Sequence, residues 1–67
     1  MKPTIGRIVH FYGDEDEPIA AVVVRVWDEE CVNLRLLEDG PDTPWMTSVP
    51  YHEDKREFSW SWPPLVH

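Results

Sequence analysis

Apolar and polar residues alternate at a spacing of two along much of this chain. In CVNLRLL, Val32, Leu34 and Leu36 fall on one side of an extended backbone, with Asn33 and Arg35 on the other. The preceding run, PIAAVVVRVW, is β-branched and apolar on both sides. Period-two patterning, many β-branched residues and 7 prolines leave no segment that reads as an amphipathic helix. The pattern predicts five strands, over 5–12, 18–27, 31–37, 44–49 and 57–62, joined by short acidic connections. An open sheet of such short strands would leave its edges unpaired. The expected architecture is therefore all-β: one domain over residues 1–67, closing as a small five-stranded SH3-like, partly open barrel.

Strands two and three meet around Asp28, Glu29 and Glu30. Placing Trp27 opposite Cys31 sets Val22, Val24 and Val26 on the same face as Val32, Leu34 and Leu36, and that face is expected to be the core. The other face then carries Val23, Arg25, Trp27, Cys31, Asn33 and Arg35. The turn contains no glycine, which a three-residue hairpin loop usually wants in its left-handed position; a longer loop of the same parity is the alternative.

The segment EFSWSWPP places Phe58, Trp60 and Trp62 at alternate positions. A 67-residue chain without a disulfide buries only about 60% of the surface its unfolded form exposes and needs large side chains inside. Phe58 and Trp60 are expected to fill that role. Trp62 precedes Pro63 and Pro64, which remove two backbone donors and end the pairing, so it is expected at the edge, at a subunit interface or stacked on a flat ligand. The two-sided apolar run AAVVVRV is more than a one-sided sheet requires, which leaves homo-oligomerisation through one face open.

Charge narrows the function. The net charge is -7, from 13 acidic against 6 basic residues, a field that repels phosphate backbones and disfavours general nucleic-acid binding. The acids occupy the connections or their edges, whereas Arg7, Arg25 and Arg35 stand within predicted strands, where they could meet a small phosphorylated ligand locally. A single cysteine permits no intramolecular disulfide and belongs to no zinc-type spacing. The loop DEDEP is dense in carboxylates but lacks the glycine and the bidentate glutamate of a calcium loop. His10, His52 and His67 match no ligand spacing either, so neither metal nor cofactor is expected. Cys31 follows Glu29 and Glu30, which disfavour its thiolate, and no GxSxG, HExxH, P-loop or dinucleotide fingerprint is present. The expectation is a protein that is not an enzyme. Without a long apolar run or a secretory leader pattern, it is expected in the cytoplasm and not in a membrane.

The segments MKPTIGRIVHFY, AAVVVRVWDEECVNLRLL, TSVPYHE and WSWPP carry a pattern of Gly6, Arg7, Ile8, Val9 and His10, then Val32, Asn33 and Leu34, then Ser48, Val49 and Pro50, then Trp60 and Trp62. On these residues the chain resembles, over nearly its whole length, a family of small proteins encoded by phages and prophages. Relatives commonly show W-H-W-P where this chain has Ser61 between the tryptophans, so a role carried by that histidine does not transfer. The resemblance implies stoichiometric binding in a host cell, either blocking a host protein or sequestering an immune signal. The expected function is a non-enzymatic binding protein that counteracts host defence by trapping a small signalling nucleotide in a pocket between subunits. Trp27, Trp45 or Trp62 would stack on the base, Arg7, Arg25 or Arg35 would meet phosphates, and Asn33 would read polar edges. The alternatives are an acidic interaction module that blocks a basic surface of a host protein, and a minor virion or assembly component.

Overall fold

All five expected strands are present. A computed structural model of the chain describes residues 2–13, 17–54 and 56–64. It contains β1 (Ile8–Tyr12), β2 (Ile19–Val26), β3 (Cys31–Leu36), β4 (Trp45–Pro50) and β5 (Ser59–Ser61). They form one sheet in the order β4-β3-β2-β1-β5, and every neighbouring pair is antiparallel. The sheet curls until its two edges touch. Tyr51, just past β4, forms a parallel bridge with Trp60 of β5, and the His52 N–H donates to the Trp60 carbonyl at 3.1 Å. The result is the all-β half-barrel expected, consistent with a small SH3-like barrel that is partly open. Among the described residues there is no helix long and apolar enough to cross a membrane. The acidic-loop residues Asp14, Glu15 and Asp16, and His67, lie outside the described residues.

The β2–β3 turn solves its missing glycine with a carboxylate. Asp28 Oδ1 accepts the Glu30 N–H at 2.8 Å and the Cys31 N–H at 2.9 Å, while the Trp27 N–H reaches the Cys31 carbonyl at 2.9 Å. An aspartate that bonds the backbone ahead of it mimics a backbone turn, so the reversal needs no left-handed residue. The two N–H donors, that of Glu30 first and that of Cys31 second, favour the charged form and hold the Asp28 carboxyl below its ordinary value.

The expected register holds only beside this turn. Arg25 pairs with Asn33 and Val26 with Val32, but a bulge at Val24 shifts the pairing, so that Val23 faces Leu34 and Ala21 faces Leu36. The extra residue inverts the alternation of the rest of β2. The core side of β2 is therefore Ala21 and Val23, both fully buried, and not Val22 and Val24; Val22 is half-buried and Val24 exposed. Val26, on the turn side of the bulge, packs against the core as expected. The remaining core comes from Val9 and Phe11 of β1, Val32, Leu34 and Leu36 of β3, Val49 of β4 and Trp60 of β5.

A second bulge lies across β3. Val32 faces Val49 and Leu34 faces Met46, so Thr47 and Ser48 together stand opposite Asn33. Ser48 adopts a left-handed backbone, with φ of 56°. Asn33 is 6% exposed, and its side-chain oxygen accepts the backbone N–H that the bulge leaves out of the ladder, that of Ser48 at 2.8 Å, together with two side-chain donors, the Thr47 hydroxyl at 3.1 Å and the Trp27 indole N–H at 2.9 Å.

The last strand also departs from expectation. Phe58 is not in the core: its φ of 56° turns the chain before β5, leaving the ring 46% exposed and edge-on to Phe11 at 5.8 Å. Trp60 is in the core, 1% exposed, and its indole N–H donates to the Glu30 carbonyl at 2.8 Å, tying β5 to the β2–β3 turn. Ser59 and Ser61 are buried as well, so β5 is covered on both faces.

Two outcomes test this account. Asn33→Ala strands three donors and should lower unfolding stability by about 1–3 kcal/mol in urea titrations, whereas Thr47→Val, which removes one donor, should cost about 1 kcal/mol or less. Equal losses would show that the oxygen does not organise the bulge. For Asp28 the folded-state value lies below the unfolded one, so the carboxylate stabilises at neutral pH and that contribution is lost as pH falls through the folded value. Asp28→Ala should therefore melt below the wild type at pH 7, and the gap should close as the pH is taken below the ordinary carboxyl value of 3.8. A gap that does not change with pH would remove the charged turn from the account.

Candidate functional site

The seven residues singled out from the sequence separate into two places. Arg25, Trp27, Asn33, Arg35 and Trp45 share the outer face of β2, β3 and β4, because the Arg25–Asn33 and Arg35–Trp45 pairs both point away from the core. Arg7 and Trp62 lie elsewhere, together. Arg7 precedes β1 instead of lying within it, and its guanidinium carbon sits 5.6 Å from the centre of the Trp62 ring.

On the outer face the two exposed indoles differ in how they are held. Trp27 is fixed at its N–H by Asn33, and the Arg25 guanidinium lies over its ring at 3.9 Å, while 52% of the residue stays exposed. Trp45 is 54% exposed and stands across from Arg35, whose guanidinium reaches toward the Thr43 carbonyl at 3.5 Å. Asn33 has its oxygen committed to three internal donors, so its observed work is to position Trp27 and the β4 bulge. Cys31 is half-buried at the turn end of this face. Burial first, and the Asp28 charge second, push its thiol above the ordinary value, which suppresses the nucleophilic thiolate.

Trp62 belongs to a concave site that the sequence reading did not assemble. At the turn end of the barrel, Tyr51, Trp60 and Trp62 line a cleft of about 390 Å³, bordered by Lys2, Glu29 and Glu30. Tyr51 and Trp62 each meet Trp60 edge-on, with centroids 5.0 and 5.3 Å away and planes inclined at 61° and 84°. Lys2 Nζ lies 3.2 Å from Glu29 Oε1 at the mouth. Tyr51 was missed because only the closure of β4 onto β5 brings it to Trp60. The expected aromatic spacing of two did flag Trp60 and Trp62. At the opposite end a second cleft, about 360 Å³, opens between Phe11, Ile19, Met46 and Phe58 with Glu38 and Glu57 at its rim. Among the described residues no three His, Cys, Asp or Glu side chains converge as metal ligands would.

Comparison with protein-family models, with curated proteins and with solved structures finds no match to this chain. The functional reading therefore rests on the geometry and on the sequence pattern.

The ring environments separate folding from surface roles. Trp60→Ala empties a fully buried site and should cost about 3–5 kcal/mol, enough to abolish the cooperative transition of so small a chain. Trp62→Ala loses a half-buried ring held by Trp60 and Arg7 and should cost about 1–2 kcal/mol while the circular dichroism spectrum persists. Equal losses of folding in the two variants would show Trp62 to be core.

Proposed function

We propose that this chain is a non-enzymatic binding protein that takes a nucleotide on the Arg25–Trp27 and Arg35–Trp45 face, with two copies closing over the ligand. The observation that carries the reading is the Trp27 indole, fixed by Asn33 and stacked by Arg25, with half its surface open. A guanidinium stacked through its face keeps its in-plane N–H donors for phosphate oxygens, and an immobilised indole loses little entropy when a base stacks on it. Trp45 stands opposite Arg35 on the neighbouring strand, which adds a second ring and a second cation to this face.

The net charge of -7 and the adjoining Asp28 work against phosphate binding, so the reading rests on the direct contacts that Arg25 and Arg35 can make. Neither cleft includes these four residues, so a single copy offers them as an open surface. A second copy would enclose the ligand, and the exposed Ile8 and Val24 supply apolar area beside the arginines for that contact. The phage-like sequence pattern makes host signalling nucleotides the ligands to test first, their sequestration in the host cytoplasm being a route to counteract defence.

Calorimetry against cyclic and linear nucleotides should give saturable heat with at least one of them, and light scattering should show the mass double on binding. Arg25→Ala and Trp27→Ala should each weaken that affinity by about tenfold or more, from a lost charged hydrogen bond or a lost stack. No heat with any nucleotide at micromolar protein would sink the reading.

A further inference from the structure

The cleft at the turn end of the barrel combines aromatic walls with charged side chains at its rim. Trp60 lies beneath it, 1% exposed, and Tyr51 and Trp62 stand steeply against Trp60, so two partly open rings wall one space. Aromatic faces are the negative part of the ring quadrupole and attract a positive group brought within about 6 Å of the centroid. The indole N–H of the floor is already spent on the Glu30 carbonyl, so Trp60 brings no free donor for an anion. The rim supplies negative charge through the exposed Glu29 and Glu30, set against the Arg7 guanidinium that lies 5.6 Å from the centre of the Trp62 ring. An ammonium already sits there: Lys2, with a side chain 77% exposed, holds its Nζ 3.2 Å from Glu29. An exposed pair of this kind contributes little to stability and is readily exchanged for another cation.

We infer that this cleft docks a lysine side chain of a basic protein partner, whose ammonium replaces that of Lys2 beside Glu29 while its methylene stem lies against Tyr51 and Trp62. Three features select this occupant. The volume of about 390 Å³ suits a flexible alkyl chain. The resident group at the mouth is an ammonium, a compact charge that two rings and one carboxylate can border, whereas a guanidinium favours a flat bidentate carboxylate. A net charge of -7, with Asp28, Glu29 and Glu30 contiguous at this end, complements a basic segment and speeds its approach. The site is distinct from the nucleotide face, and the two are read by different tryptophans.

Indole N–H signals in two-dimensional NMR provide the test. A short alanine peptide bearing lysines is titrated into the protein at about 0.15 M ionic strength, where exposed charges are largely screened beyond about 8 Å, beside matched arginine and glutamate peptides. The lysine peptide should move the Trp60 and Trp62 signals saturably and leave Trp27 and Trp45 in place. Glu29→Gln combined with Glu30→Gln should weaken binding about fivefold or more, and Lys2→Ala, which vacates the mouth, should tighten it about twofold or more. Trp62→Ala, confirmed folded by its amide spectrum, should abolish the saturable shift. The assignment is overturned by any of three results: no saturable shift, shifts unchanged in the double glutamine variant, or a response to the arginine peptide alone.

Discussion

One side-chain oxygen holds together features that lie far apart in the sequence. Asn33 sits between two bulges, paired with Arg25 immediately beyond the irregularity in β2 and faced by both Thr47 and Ser48 of β4. A bulge leaves a backbone donor out of the ladder and increases local twist. The Asn33 oxygen takes up the displaced Ser48 N–H, and two bulges flanking β3 give the sheet the curl that a five-stranded ribbon needs to meet its own edge. Closure of Tyr51 onto Trp60 depends on that curl, and so does the cleft between them. The same oxygen also receives the Trp27 indole, which fixes the ring on which Arg25 stacks. Barrel closure and surface chemistry thus share one buried polar group.

How far the sequence disclosed this follows from which interactions are local. Strand positions were legible because each is a short run with its own period-two pattern, and the inward set of β3 (Val32, Leu34, Leu36) was read correctly for that reason. Val22, Val24 and Phe58 were placed in the core wrongly, and the causes are alike. A bulge at Val24 and a left-handed residue at Phe58 each break the alternation at a point where no glycine marks the break. The Asx turn at Asp28 is a similar case: the missing glycine was noticed, and an aspartate supplies its remedy. For the candidate surfaces, Arg25, Trp27 and Arg35 were legible on one face because they follow the strand parity set by the hairpin, whereas Trp45 joins them only through the β3–β4 pairing. Tyr51 and Lys2 were not, since their neighbours are set by closure and by the path of the N-terminal segment, neither of which has a period.

The charge distribution has the same logic of separation. Arg25 and Arg35 stand on the outer face near the ends of β2 and β3, and each has an indole for a neighbour. The carboxylates of Asp28, Glu29 and Glu30 gather at the hairpin end, where one of them serves the turn and the others border the aromatic cleft. A strongly acidic chain can therefore carry arginines and indoles together on one face and keep a glutamate-rimmed aromatic cleft apart from it.

Trp60 joins binding to folding. Its ring is core, its N–H anchors the hairpin turn, its backbone closes the barrel against Tyr51 and His52, and the rings that wall the cleft, Tyr51 and Trp62, both pack on it. A ligand seated there would contact rings that rest on the residue on which closure depends, so binding to the folded form alone must stabilise the barrel by mass action. In a chain this short the stability margin is narrow, and a cleft floored by the core is a site that exists only while the two edges of the sheet remain together.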